Sequence, residues 1–130
     1  MMAGKVVKRL GIPSVALLLM ASVAPAHAES YSNLQSSGYK TSKLTRGASG
    51  SLGWYVSNGE KKFFCRMRAT NAYVGKTGMV GFTSSGKQLS LDRKVYEQYA
   101  GGFDPSMPQL ADLKAGRLNA RSVGYCVPAK

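Results

Sequence analysis

The sequence predicts an α+β fold, a small antiparallel sheet of about five or six strands with two or three short helices and one disulfide. Three observations predict it. Asn58-Gly59 stands between two segments of alternating polarity, the pattern of a β-hairpin. The helical segments are short and are stopped by glycines. Two cysteines, Cys65 and Cys126, lie far apart behind an export leader. The chain has 130 residues, which suits one folded domain, and 44% of them are hydrophobic, too many for a disordered chain.

The leader comes first in the chain. Lys5, Lys8 and Arg9 form a basic start, and an uncharged stretch follows with its apolar heart at Val15–Met20. Pro25 breaks any helix, and Ala26-His27-Ala28 has the small residues that signal peptidase needs. This order predicts a secretory signal peptide over residues 1–28, cleaved after Ala28, and a single mature α+β domain over 29–130. The competing reading is a retained membrane anchor, but Pro13, Pro25 and small residues leave the apolar run short of a span. The leader holds no cysteine for lipid attachment, and no second hydrophobic stretch follows, so no transmembrane segment is expected after cleavage. Cleavage removes three cations and no anion, which takes the net charge from +12 to +9. It also removes the only histidine, His27.

The mature elements follow in order. Tyr31–Ser37 reads as a short helix stopped by Gly38. Tyr39–Leu44 reads as a strand, and Gly47–Ser51 as a flexible loop. The hairpin joins Leu52–Ser57 to Glu60–Ala69 through a two-residue Asn58-Gly59 turn. That turn sets Ser57 opposite Glu60, Tyr55 opposite Lys62 and Leu52 opposite Cys65. Side chains alternate between faces. One face collects Leu52, Trp54, Val56, Phe63, Cys65 and Met67, the expected core, with Lys61 at its edge. The other collects Tyr55, Lys62, Phe64, Arg66 and Arg68, a basic and aromatic face.

Thr77–Thr83 and Lys87–Asp92 form a second expected hairpin around Ser84-Ser85-Gly86. Arg93–Ala100 reads as a helix ended by Gly101-Gly102. Ser106-Met107-Pro108-Gln109 has the form of a capping box opening a helix that runs to Ala115, with Leu110 and Leu113 inward. Arg121–Val127 is the expected last strand and carries Cys126.

An exported chain with two cysteines forms a disulfide. Cys65–Cys126 would close a loop of about 60 residues and tie the tail to a central strand. A redox or metal role fits less well: there is no C-x-x-C, and two thiolates without histidine make a poor zinc site.

Much chemistry is excluded. Without histidine the mature chain cannot build Ser-His-Asp or Cys-His centres. The six acids, Glu29, Glu60, Asp92, Glu97, Asp104 and Asp112, are scattered, and most fall near expected turns and helix ends. Gly75-Lys76-Thr77 imitates the end of a P-loop, but Thr70 stands where the motif needs glycine. Ser37-x-x-Lys40, Ser84-x-x-Lys87 and Lys76-Thr77-Gly78 echo penicillin-binding serine enzymes in the wrong order and in too small a chain. The expectation is a non-catalytic protein with no metal and no cofactor; a small Ser or carboxylate hydrolase is the remote alternative.

The positive clue is charge. A +9 domain attracts polyanions. On the hairpin, Tyr55 and Phe64 interleave with Lys62, Arg66 and Arg68, which is where an anionic partner is expected. That pattern also suits nucleic acid strands, but export removes them as the physiological partner. The remaining polyanions are envelope polymers and anionic lipid headgroups. Against this stands a plain solvated surface, or a sheet face covered by one of the chain's own helices. A second class of function is a protein–protein module, either an inhibitor or an accessory factor of an envelope or host-facing complex.

In size, leader and single disulfide the chain resembles the small periplasmic proteins of Gram-negative bacteria, a likeness of layout that implies a periplasmic or secreted location. Ser84-Ser85-Gly86-Lys87 is similar to the Ser-Gly loop of small periplasmic lysozyme inhibitors. Lysozymes are usually basic, so a +9 inhibitor would be repelled at long range.

Overall fold

A computed structural model describes residues 28–130. Residues 1–27 of the expected leader, including Ala26 of the expected cleavage motif, lie outside the described residues. The described elements are α1 (Tyr31–Ser36), β1 (Lys40–Thr41), β2 (Thr45–Arg46), β3 (Leu52–Ser57), β4 (Lys62–Met67), β5 (Asn71–Val74), β6 (Gly78–Phe82), β7 (Gln88–Ser90), α2 (Arg93–Ala100), α3 (Leu110–Ala115), a 3-10 turn (Ala120–Ser122) and β8 (Val123–Pro128). This is the expected α+β fold. Its strands form two antiparallel sheets: a five-stranded one ordered β1-β3-β4-β8, with β2 also on β3, and a three-stranded one ordered β5-β6-β7.

The β3–β4 hairpin forms where expected, but its register is displaced. Ser57 faces Lys62, Tyr55 faces Phe64 and Trp54 faces Cys65. The cause is the Asn58 side chain. Its Oδ1 accepts from the backbone N–H groups of Glu60 at 2.9 Å and Lys61 at 2.7 Å. The N–H of Asn58 donates to the Lys61 carbonyl at 3.1 Å. Asn58 and Lys61 therefore close the hairpin, and Gly59 takes the first central position, at φ +94°. Each partner moves along by two residues. Because side chains alternate with period two, the face assignment survives the displacement. Trp54, Val56, Phe63 and Cys65 are buried, while Lys61, Lys62 and Arg66 are exposed.

The core face of the larger sheet packs against Tyr31 and Leu34 of α1 and Leu110 and Leu113 of α3, with Ala72 and Val80 joining from the smaller sheet. Trp54 Nε1 donates to the Leu113 carbonyl at 2.8 Å in this interior, so the indole both fills the core and caps a helix carbonyl. Cys65 and Cys126 lie directly opposite each other on β4 and β8 and are joined by the expected disulfide. A buried bridge of this kind marks a fold that matures outside the reducing cytoplasm. Among the described residues no helix is long and apolar enough to cross a membrane.

Three other local expectations can be compared. Helix α2 has the expected bounds, with Asp92 accepting from the Val95 N–H at 3.2 Å and Gly101 ending it at φ +84°. The expected Tyr39–Leu44 strand is split into β1 and β2: the chain leaves β3 at Lys43 and Leu44, where the Leu44 N–H turns to the Lys114 carbonyl at 3.1 Å. The Ser106 capping box does not form. Helix α3 begins at Leu110, and Ser106 donates its N–H (3.0 Å) and Oγ (2.6 Å) to Asp104 instead. Gln109 spends its amide on Gly75, accepting from its N–H and donating to its carbonyl, both at 3.2 Å. The Tyr73 N–H donates to the Pro108 carbonyl at 2.9 Å. The segment before α3 is thus held in extended form against β5.

Candidate anion-binding face

Strand alternation turns Tyr55, Lys62, Phe64 and Arg66 away from the core. Tyr55 and Phe64 are cross-strand partners packed edge to face, with ring centroids 5.1 Å apart. Lys62 Nζ lies 5.0 Å from the Tyr55 ring centroid. The Phe64 ring lies on two glycines. A Cβ at Gly47 would stand 2.8 Å from it, and one at Gly53 2.7 Å. Those positions are open to an aromatic ring only because they carry no side chain.

The cover over Phe64 is therefore the Gly47–Ser51 turn rather than one of the helices. That turn is tied down where a flexible loop was expected. The Gly47 N–H donates to the Ser51 carbonyl at 2.9 Å. Arg46 Nη1 donates to the Gly50 carbonyl at 2.7 Å and across to the Ser85 carbonyl at 2.9 Å.

Strand β8 supplies the other wall. Cys126 is held inward by the disulfide, so its neighbours Tyr125 and Val127 point outward, 61% and 42% exposed. Val127 stands directly opposite Phe64. The β4–β8 register then shifts between Cys65 and Met67, which leaves Gly124 and Tyr125 together opposite Arg66. Bulges of this kind re-aim side chains. The result is an open groove of about 510 Å³, lined by Phe64, Arg66, Arg68, Tyr125 and Val127, with Ser49 and Ser51 at its rim.

The structure thus brings together Phe64, Arg66 and Arg68 of the five residues expected to meet an anion. Tyr55 and Lys62 share the sheet face but do not line the groove. Tyr125 and Val127 were not foreseen. The signal was present: once Cys126 is paired with Cys65, alternation along β8 sends both neighbours outward.

The electrostatics favour an anion. No aspartate or glutamate lines the groove. Among the described residues the ion pairs are Arg93–Glu97 at 3.2 Å and Arg117–Asp112 at 2.9 Å, so neither Arg66 nor Arg68 has a carboxylate partner. Arg93, by contrast, is fully engaged. It lies 4.0 Å from the Tyr73 ring centroid and donates to the Gly75 and Gly78 carbonyls. Two guanidiniums on one rim suit carboxylate or phosphate, which accept their paired N–H groups.

A second polar network lies elsewhere. Hydrogen bonds from Ser106, and then from the Tyr96 hydroxyl, hold the Asp104 carboxyl below its ordinary range. The same bond to Asp104 raises the Tyr96 phenol. The Asp104 N–H donates to the Tyr73 hydroxyl at 2.9 Å, so the network fastens the loop after α2 to β5. Among the described residues no cluster of three or more histidine, cysteine, aspartate or glutamate residues gathers. No family model, curated protein or solved structure matches the chain.

Proposed function

We propose that this chain is an exported, non-catalytic protein of the Gram-negative envelope, periplasmic or secreted, that binds an anionic envelope component through the groove between β4 and β8. One observation carries this reading: Arg66 and Arg68 face a groove with an aromatic wall and no carboxylate in its lining. The net charge, +9 after loss of the leader, brings anions toward that face, and the two arginines hold them there. The leader and the disulfide support the location.

The test is a titration of the oxidised protein against lipopolysaccharide, phosphatidylglycerol vesicles and acidic polysaccharide, at low salt and at about 0.15 M, where exposed charges are screened beyond about 8 Å. Saturable binding of one of these that persists at the higher salt, and that weakens at least about tenfold in the Arg66→Glu/Arg68→Glu double variant, is expected. Equal binding by the variant would refute the assignment to this face.

A second reading, a protein–protein module, is favoured by one feature. Leu89 and Leu91 on and after β7, and Val95 and Tyr99 at i and i+4 on α2, are all exposed, Tyr99 by 89%. That reading expects a specific partner retained at high salt and released by Val95→Asp/Tyr99→Asp.

A further inference from the structure

The groove does not end at Arg68. The same arginine lines a second depression of about 330 Å³ that runs past Arg66 to the turn at Thr83, Ser84 and Gly86. It also lines a third, of about 490 Å³, that runs between Tyr125 and the start of α1 at Ser30 and Ser32. Ser51, Arg66 and Met67 are common to the first and second depressions, and Gly124 and Tyr125 to the first and third. The three depressions adjoin, with Arg68 lining all of them, and together form a branching trough on this surface. No aspartate or glutamate lines any part of it.

The arms extend the mixed polar and apolar lining of the middle. Apolar side chains run through all of it: Phe64 and Val127 in the central groove, Leu52, Met67 and Phe82 in one arm, and Tyr31 and Val123 in the other. The arms carry hydroxyls: Ser30 and Ser32 at one end, Thr70, Thr83 and Ser84 at the other. A single compact headgroup would fill the central groove and leave both arms empty. Hydroxyl-lined arms leading away from two arginines and an exposed tyrosine suit a chain of sugars. Guanidiniums take its acidic groups, hydroxyls bond its hydroxyls, and the Tyr125 ring offers a flat apolar face to a sugar ring.

We infer that the trough holds several consecutive residues of an acidic polysaccharide, which crosses Arg68 and extends along at least one arm. This rests on the anion-binding reading above and names the class of its ligand.

Isothermal titration of the oxidised protein with mono-, tri- and hexagalacturonate, beside phosphatidylglycerol vesicles, tests it. Each added subsite raises effective concentration at the next, so affinity should climb about tenfold or more from the shortest to the longest ligand. Ser32 and Ser84 are exposed, and neither contributes its side chain to a hydrogen bond. Ser32→Trp and Ser84→Trp should therefore fold and block one arm each. At least one should weaken the hexamer while leaving the monomer unchanged; Arg66→Glu/Arg68→Glu should weaken every length.

Equal affinity at all lengths with neither block effective would overturn the chain-binding inference and leave anion binding standing. Binding to vesicles without binding to any oligomer would overturn it in favour of a lipid surface. Binding to neither would overturn this inference together with the reading beneath it.

Discussion

Replacing Cys65 and Cys126 together by alanine should cost a large part of the fold's stability. The bridge spans a sequence separation of 61 residues. Closing a loop of that size removes enough freedom from the unfolded chain to stabilise the native state by about 4 kcal/mol. Both cysteines are fully buried, so the double alanine variant also loses packing of two sulfur atoms, about 1 kcal/mol more. Domains of this size are stable by roughly 5–15 kcal/mol in all. The single tryptophan, Trp54, is fully buried beside Cys65 in the core cluster, which makes its fluorescence the natural probe of urea unfolding.

With a urea slope of about 2 kcal/mol/M, the midpoint should fall by about 2.5 M. The groove should suffer with it, because the bridge is what turns Tyr125 and Val127 outward. A midpoint lowered by less than about 0.5 M, at an unchanged slope, would refute the reasoning. It would mean that the sheet pairing of β4 with β8 holds the tail without the crosslink.

Other expectations follow from the same geometry. Gly53→Ala puts a methyl group into the Cys65 carbonyl and 2.7 Å from the Phe64 ring, so it should cost about 1–3 kcal/mol and weaken anion binding; a melt unchanged from wild type would contradict the packing of Phe64 on that glycine. Asp104, whose carboxyl is held below its ordinary value of 3.8, contributes stability that is present above that pH and lost as pH falls through its lower folded value. The stability gap between wild type and Asp104→Asn should therefore shrink in acid, and a gap constant from pH 7 downward would contradict it. The Tyr96 phenol, raised above 10.0 by the same carboxylate, should make the fold lose stability in alkali as it ionises, an effect absent in Tyr96→Phe.

Several elements were legible because local chemistry decides them. Helix α2 is bounded by an aspartate cap and a glycine in the left-handed region, and both signals are local. The inward and outward faces of β3 and β4 follow from alternation alone. The register did not, because Asn58 uses its side chain where the favoured two-residue turn uses its backbone. Helix α3 begins later than the capping pattern predicts, since Ser106 turns to a nearer partner, Asp104, two residues before it, and Gln109 to a distant one, Gly75. Strand β5 was missed: Asn71–Val74 is short, and its pairing with β6 is a tertiary fact.

The candidate site was half legible. Phe64, Arg66 and Arg68 fell on one face by period two. Tyr125 and Val127 required the β4–β8 pairing, which the disulfide implies but no turn signal marks. The Gly47–Ser51 cover depended on Arg46 reaching Ser85, 39 residues away.

The most direct test of the central claim is binding at about 0.15 M salt, comparing the oxidised wild-type protein with Arg66→Glu/Arg68→Glu on lipopolysaccharide, phosphatidylglycerol vesicles and hexagalacturonate. Saturable binding by wild type and at least about tenfold loss in the variant is the predicted result. Binding that is the same in both proteins, or that vanishes in wild type for all three probes at this salt, would contradict it.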